Sequence, residues 1–358
     1  ARDDARGRRE RHRRPRRDAH ASVDAARGAV RRHNSDGRVG FASTSSMTTP
    51  STTRVGFLGL GIMGNAMARA LARGGCDVVA WNRSADKARA CLEAFEREDR
   101  ARGNAMGTMT LASSVEEIAS GDVDVTFAML SDPRAAMAVA RAYAEGASRA
   151  SGTRKKTYVD CSTVDGECGE ATREILGERV SFLAAPVSGG WRDAAKGELL
   201  FIGGGSREAY DASAAHMEIM GAKRWLVGDT PTHAARAKLM LQIMMGNVIG
   251  ALGEMHGLSQ RAGLDSDAIL EMLSHSAMGS ALTTAKGKLM SSKNFAPNFQ
   301  VYLQQKDLRL ALNLADELDY AAPITAAANS QYVKAKGLGH ANSDFAAVAA
   351  AYTDEKKE

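Results

Sequence analysis

The sequence predicts an α/β chain in which a mostly parallel sheet covered by helices is followed by an all-helical C-terminal part. Short apolar runs alternate with helical segments from Arg54 onward, and the strand signals cease at Pro231. With 358 residues, 44% of them apolar, the chain is long enough for two buried cores.

The strand-like runs are 55–58, 78–81, 123–129, 157–160 and 180–184, short and rich in Val, Thr, Phe and Tyr. Between them, 63–73, 85–97, 133–145 and 166–176 carry apolar residues at helical spacing. Strands separated by such helices pair in parallel, and the crossovers cover both faces of the sheet. Residues 95–108, charged and then Gly/Asn-containing, read as an insertion in a surface loop with little bearing on chemistry. The patch 146–156 reads as a second loop. Beyond Pro231, which suits a helix start because it has no N–H to leave unpaired, the segments 232–262, 266–274, 303–318, 324–336 and 344–352 read as helices. The expected organisation is an arm over 1–53, a sheet domain over 54–230 and a helical domain over 231–358.

Charge is concentrated in the arm. Residues 1–46 hold thirteen Arg and six acidic residues, which leaves 34 basic and 36 acidic residues in the rest. The body is near neutral, so any case for a nucleic-acid partner rests on the arm alone, and none is expected. The arm reads instead as a disordered targeting presequence, leading into the Ser/Thr-rich stretch 43–53, or as an upstream stretch absent from a protein that starts at Met47. The first reading implies a plastid or mitochondrion, the second the cytosol; six acids count against the first. The longest apolar stretch, 239–255, is interrupted by Gln242, Asn247 and Glu254 and reads as a buried helix rather than a membrane span. Cys76, Cys91, Cys161 and Cys168 form no CxxC pair and join no His/Cys cluster, so neither a disulfide framework nor a metal site is expected.

The first strand runs into Gly59-Leu60-Gly61-Ile62-Met63-Gly64, and a helix follows at once. In a GxGxxG so placed, the first glycine permits a tight turn, the second lets backbone approach a pyrophosphate and the third lets helix and strand pack closely. The helix N-terminus offers free N–H groups to the anion. This makes the sheet domain a Rossmann-type dinucleotide-binding domain. An NAD site usually places an acid at the end of the second strand to bond the ribose hydroxyls. Here that position reads Asn82-Arg83-Ser84. A guanidinium with flanking polar groups suits a 2′-phosphate; against the alternative of an Arg in a solvated loop, losing the acid and gaining the base together favour NADP(H) over NAD.

Lys238 lies in an apolar helical stretch with Gln242 one turn on, a setting that disfavours the ammonium. From the residues alone, a snorkelling lysine at a helix edge is the preferred reading. Ser188-Gly189-Gly190 could cradle a carboxylate with a hydroxyl and two unobstructed backbone N–H groups, or be an ordinary glycine turn. Thr163 follows a parallel strand, at the end where ligands bind such sheets, and Ser162 could cap the next helix.

Taken together, Val55 to Gly64, Met129-Leu-Ser-Asp-Pro133, Tyr158 to Val164, Ala185 to Gly190, Lys238 and Gln305-Lys-Asp-Leu-Arg309 resemble the β-hydroxyacid dehydrogenase family, related to 3-hydroxyisobutyrate dehydrogenase. The resemblance covers about 54–352 and is greatest to the glyoxylate and succinic semialdehyde reductase branch. It implies that Lys238 is the catalytic acid, and that Ser188, Gly189, Gly190, Thr163, Gln242, Phe299 and Asp307 meet the substrate. The glycine loop from Gly59 to Gly64, Asn82, Arg83, Ser84, Leu130, Thr163 and Lys306 would meet the cofactor, and a homo-oligomer, dimer or tetramer, would be expected. The implied reaction is NADPH-dependent reduction of a small carboxylated aldehyde to a hydroxy acid. A 3-hydroxyisobutyrate-type dehydrogenase and a non-catalytic scaffold with a nucleic-acid-binding arm are the alternatives. Three departures stand out. The family pattern has Gly four before the lysine and Asn four after, where this chain has Ala234 and Gln242, and the reductase branch has a non-aromatic residue where Trp191 stands.

Overall fold

The computed structural model describes residues 53–151 and 154–353, so the arm, save Thr53, lies outside the described residues. Nine strands form one sheet: β1 (Arg54–Leu58), β2 (Asp77–Trp81), β3 (Met109–Leu111), β4 (Val125–Ala128), β5 (Lys156–Asp160), β6 (Val180–Ala184), β7 (Val187–Ser188), β8 (Leu199–Gly205) and β9 (Gly221–Gly228). Their order is β3-β2-β1-β4-β5-β6-β8-β7, with β9 also on β8. From β3 to β6 every pairing is parallel, as the alternation of runs predicts. β8 runs antiparallel to β6 and β7. The chain progresses outward from β1 in both directions, which opens a crevice beyond the carboxyl ends of β1 and β4.

Five strands agree with the runs read from sequence; β3, β7, β8 and β9 were not anticipated. β3 has three residues at a sheet edge and β7 has two, too few for a period to register. β8 ends in Gly203-Gly204-Gly205, and β9 carries Lys223 and Arg224 with no residue buried. β8 opens with the apolar run 199–202, a strand signal that the reading from sequence did not use, and β9 lacks such a run in its first half.

The sheet is covered by α1 (Ile62–Arg73), α2 (Ala85–Ala94), α3 (Val115–Ser120), α4 (Pro133–Ser148), α5 (Gly166–Leu176), α6 (Trp191–Lys196), α7 (Arg207–Ala212) and α8 (Ala214–Met220). Ser84, Ser114, Asp132, Asp165 and Ser206 each cap a helix by accepting a backbone N–H three residues on, contributing about 1 kcal/mol apiece. Because side chains alternate across a strand, Phe57 joins one apolar core with Met67 and Leu71, while Leu58 joins another with Ile118, Tyr143 and Tyr158.

The helical part comprises α9 (Pro231–Arg261), α10 (Ser266–His275), α11 (Ala281–Ser291), α12 (Val301–Glu317), α13 (Pro323–Ala335) and α14 (Ala350–Thr353), with a 3-10 turn at Phe345–Ala349. α11 was not anticipated. Ile249, Leu252, Leu308, Tyr332, Phe345 and Val348 form its core. Among the described residues no helix is long and apolar enough to cross a membrane.

The segment 95–108 corrects the expectation of an idle surface loop. Phe95–Arg100 continues α2 as a wider π-helical turn. Phe95 is fully buried, and the buried Asp99 accepts hydrogen bonds from Arg69 Nε (2.5 Å) and Arg73 Nη1 (3.2 Å) of α1. Arg73 also donates to the carbonyl of Ala195 in α6 at 2.6 Å. The turn therefore clamps the glycine-loop helix to α6. Lys156, likewise read as part of a loop, opens β5 and donates from burial to the carbonyls of Gly121 and Val123.

Asp99→Ala leaves two half-buried guanidinium groups short of a partner and should lower the unfolding free energy by about 1–3 kcal/mol. A loss below about 0.5 kcal/mol in denaturant titration, the range of ordinary surface changes, would return the segment to the status of a passive loop.

Candidate active site

At the start of α1, Gly59 adopts φ 97°, and a Cβ there would lie 2.4 Å from the carbonyl oxygen of Met129. A Cβ on Gly64 would lie 1.8 Å from the Gly59 carbonyl oxygen. Both positions therefore require glycine. Gly61 has nothing within 4 Å of where its Cβ would be, and no side chain caps α1. Open space at the second glycine and uncapped N–H groups at the helix start fit a pyrophosphate.

The end of β2 is partly committed elsewhere. Asn82 Oδ1 accepts the Leu60 N–H at 2.8 Å and its Nδ2 donates to the Ser84 carbonyl at 2.9 Å, while Ser84 caps α2. Asn82 thus fastens the glycine loop to β2. Arg83 is exposed, and no bond to another described residue occupies it. A cleft of about 470 Å³ opens beside the loop, lined by Leu60, Gly61, Ile62, Asn65, Lys87 and Trp191 among others. Lys87, one turn beyond Arg83, was missed in the sequence because an exposed lysine in a first helical turn carries no signal there. Trp191 lines this cleft, which Lys238 does not.

The carboxyl ends of β4 and β5 are locked together. The Leu130 N–H donates to Ser162 Oγ (2.8 Å), and the Ser162 N–H donates to Asp160 Oδ1 (2.8 Å). Ser162 is thus a strand-end tie, and Asp165 caps α5. Asp160 is fully enclosed; burial raises its carboxyl pKa, against the bonds from Ser162 and the charge of Lys306.

Helix α9 brings Lys238 to this end of the sheet. Gly204 of β8 leaves room for it: a Cβ there would lie 2.6 Å from the Thr230 carbonyl oxygen and 2.8 Å from Ala234 Cβ. Ala234 itself is fully buried in the core beneath the sheet. Lys238 is 5% exposed, and its Nζ donates to Gln242 Oε1 at 2.7 Å. Gln242 Nε2 donates to Asp307 Oδ2, and Lys306 Nζ lies 3.0 Å from Asp307 Oδ1. Lys306 also donates to the backbone carbonyl of Thr163, joining α12 to the end of β5. Burial lowers the Lys238 pKa to about 8; Asp307 opposes the shift and Lys306 adds to it. A lysine so placed can release a proton near neutral pH.

The loop after β7 is less open than its sequence implied. Gly189 takes φ 123°, but the Gly190 N–H is bonded to Asp193 Oδ2 at 2.6 Å. This corrects the expectation of two free N–H groups. The Asn298 amide lies 3.5 Å from where a Gly190 Cβ would be, so the segment before α12 lies over this loop. Phe299 stacks edge-on against Phe345 with ring centroids 5.6 Å apart. Its segment is anchored by the buried Lys286–Asp344 pair, whose bonds are 2.8 Å; nothing in the spacing of those two residues announced the pair.

Two family models meet on the chain. The NAD binding domain of 6-phosphogluconate dehydrogenase matches 54–228, and the NAD-binding domain of NADP-dependent 3-hydroxyisobutyrate dehydrogenase matches 233–352. Glyoxylate/succinic semialdehyde reductase 2, chloroplastic, of Arabidopsis thaliana is 36% identical over 86% of this chain and 83% of its own length. The human cytokine-like nuclear factor N-PAC is 32% identical over 85% of this chain, which spans 52% of that protein. A crystal structure of 3-hydroxyisobutyrate dehydrogenase from Salmonella typhimurium shares the fold, with a TM-score of 0.68 at 23% identity over 83% of this chain and 99% of that one. With a 36% identical relative matched along most of both chains and family models on both parts, the chain belongs to the 3-hydroxyisobutyrate dehydrogenase-related β-hydroxyacid dehydrogenase family and is an NAD(P)-dependent oxidoreductase.

Proposed function

We propose that the protein reduces small carboxylated aldehydes, of the glyoxylate and succinic semialdehyde type, to hydroxy acids with NADPH, Lys238 supplying the proton. The buried Lys238–Gln242–Asp307 chain at the carboxyl ends of the strands is the observation that carries this reading. The name of the Arabidopsis relative supports the substrate class. That name also accords with reading the basic arm as an organelle-targeting segment.

Bound NADPH would supply a hydride to the aldehyde carbon. The Lys238 ammonium stabilises the negative charge growing on the aldehyde oxygen and then protonates it. Two ammonium groups, Lys238 and Lys306, face one carboxylate, Asp307. The excess positive charge suits a substrate that brings a carboxylate of its own. Ser188, the Gly189 N–H and Thr163 would hold that carboxylate, and Phe299 would bound the pocket through its segment. Lys238 is nearly out of reach of solvent, so substrate entry calls for a rearrangement around it. A 3-hydroxyisobutyrate-type dehydrogenase would use the same side chains in the oxidative direction; Arg83, with no acid beside it, favours the NADPH-linked reading.

Arg83→Asp sets a negative charge where a 2′-phosphate would bind, so the Kd for NADPH should rise at least tenfold more than that for NADH in fluorescence titrations. Equal weakening would remove the residue-level basis for NADP. Lys238→Met keeps the apolar stem, and NADPH should bind as before while aldehyde turnover falls by about 100-fold or more. Retention of a tenth of wild-type turnover would exclude Lys238 as the acid. In the wild type, reduction needs the ammonium and should decline as pH rises through about 8, where burial has placed this group. Oxidation of the hydroxy acid needs the free amine and should rise through the same range. Rate profiles in both directions check the pair, and parallel profiles would contradict it.

A further inference from the structure

A primary amide has ends of opposite polarity, a carbonyl oxygen that accepts and an NH₂ that donates. Both ends of Gln242 are committed: Oε1 accepts from Lys238 Nζ at 2.7 Å, and Nε2 donates to Asp307 Oδ2. Its main chain is held as well, since Gln304 Nε2 donates to the Gln242 carbonyl at 3.1 Å. Gly246 makes the space for that contact, for a Cβ there would lie 2.6 Å from Gln304 Nε2. Gln242 is 3% exposed. Tied at both ends to protein side chains, the amide has its orientation fixed by the protein.

We propose that Gln242 is a positioning residue, an amide bridge that couples Lys238 on α9 to Asp307 on α12 and aims the ammonium at the aldehyde oxygen, rather than a substrate ligand. The proposal rests on Lys238 being the proton donor. An ionised carboxylate only accepts, so Asp307 fixes which way the amide points: NH₂ towards Asp307, carbonyl towards Lys238. One ammonium proton is spent on the amide and the others are directed by it. The bridge also keeps the carboxylate from pairing directly with the ammonium. A direct pair would stabilise the charged form and make it a weaker acid; a neutral dipole between them holds the geometry without that cost. The span needs glutamine, because asparagine is shorter by one methylene, about 1.5 Å, and cannot reach both partners. Among the described residues, the charged groups acting on Lys238 are Asp307 and Lys306, both on α12.

Gln242→Met preserves length, volume and helix preference while removing both bonds. In the holoenzyme, NADPH Kd should stay within twofold and KM within threefold, while kcat for aldehyde reduction falls tenfold or more. The alkaline limb of the kcat profile should move to lower pH, because the ammonium loses its acceptor. Gln242→Glu, which restores an acceptor and adds charge, should move that limb back upward. Asp307→Asn should reproduce the methionine variant in part, and the double variant should lose less than the product of the two single losses. In cofactor-free protein, the pH at which Lys238 becomes half-reactive towards an amine reagent, read by mass spectrometry, should fall in Gln242→Met. If that variant does not fold, Gln242→Asn must show the same split between kcat and KM. A kcat within twofold of wild type with an unmoved limb, or a rise in KM alone, would overturn the proposal. Loss of turnover in Lys238→Met beside a wild-type-like Gln242→Met would sink the bridge and leave the acid in place; an active Lys238→Met would instead sink the acid.

Discussion

Lys238 carries its ammonium where it is 5% exposed, and burial there disfavours the charged form. Taking an ammonium out of water is affordable only where hydrogen bonds and an opposing charge replace the solvent it lost. The acceptor comes from Gln242 on its own helix, and the opposing charge from Asp307 on α12. Lys306, which spans Asp307 and the Thr163 carbonyl, ties α12 to the end of β5. These side chains thus link the position of the Lys238 ammonium to one of the contacts between the helical part and the sheet.

The sheet meets this demand at the end where its topology already opens a crevice. Strands β4 and β5 end level with each other because Asp160, Ser162 and the Leu130 N–H bind in series. Asn82 performs the corresponding tie between β2 and the glycine loop. Asn82 and Ser162 thus fasten the backbone of the glycine loop and of the strand ends. Catalytic geometry of this kind tolerates displacements well under 1 Å, which loops reach only when their own polar groups are satisfied.

Much of this was legible in the sequence, for physical reasons that differ by element. β1, β2, β4, β5 and β6 announce themselves because burial on both faces makes them apolar runs, α9 through its long apolar stretch and α12 through apolar residues at helical spacing. β9 was silent, since its lysine and arginine serve an exposed face, and in β8 the apolar run 199–202 gives way to three glycines, one of which seats α9. Lys238 was visible as a lysine among apolar residues, but its isolation from water was not, since a snorkelling lysine has the same neighbours in sequence. Asp99, Asp344 and Asp160 were unreadable because each finds its role through a partner on another element or in the fold of its own turn, and local pattern does not record such pairings.

The two helix departures from the family pattern become intelligible as geometry. Replacing glycine by Ala234 adds a methyl group on the face of α9 that meets the sheet, and Gly204 on β8 vacates the room that methyl fills. Replacing asparagine by Gln242 extends the amide towards α12, and Gly246 lets Gln304 come close enough to hold the backbone from which the longer arm springs. Glycines opposite or one turn on thus set how closely α9 approaches β8 and Gln304 of α12. A core packed to crystal density cannot absorb an extra methyl or methylene without such a gap. It follows that Ala234 and Gly204 form one packing unit, and Gly246 and Gln304 another. Exchanging one member of a unit without the other would move α9, and with it Lys238, relative to the ends of the strands.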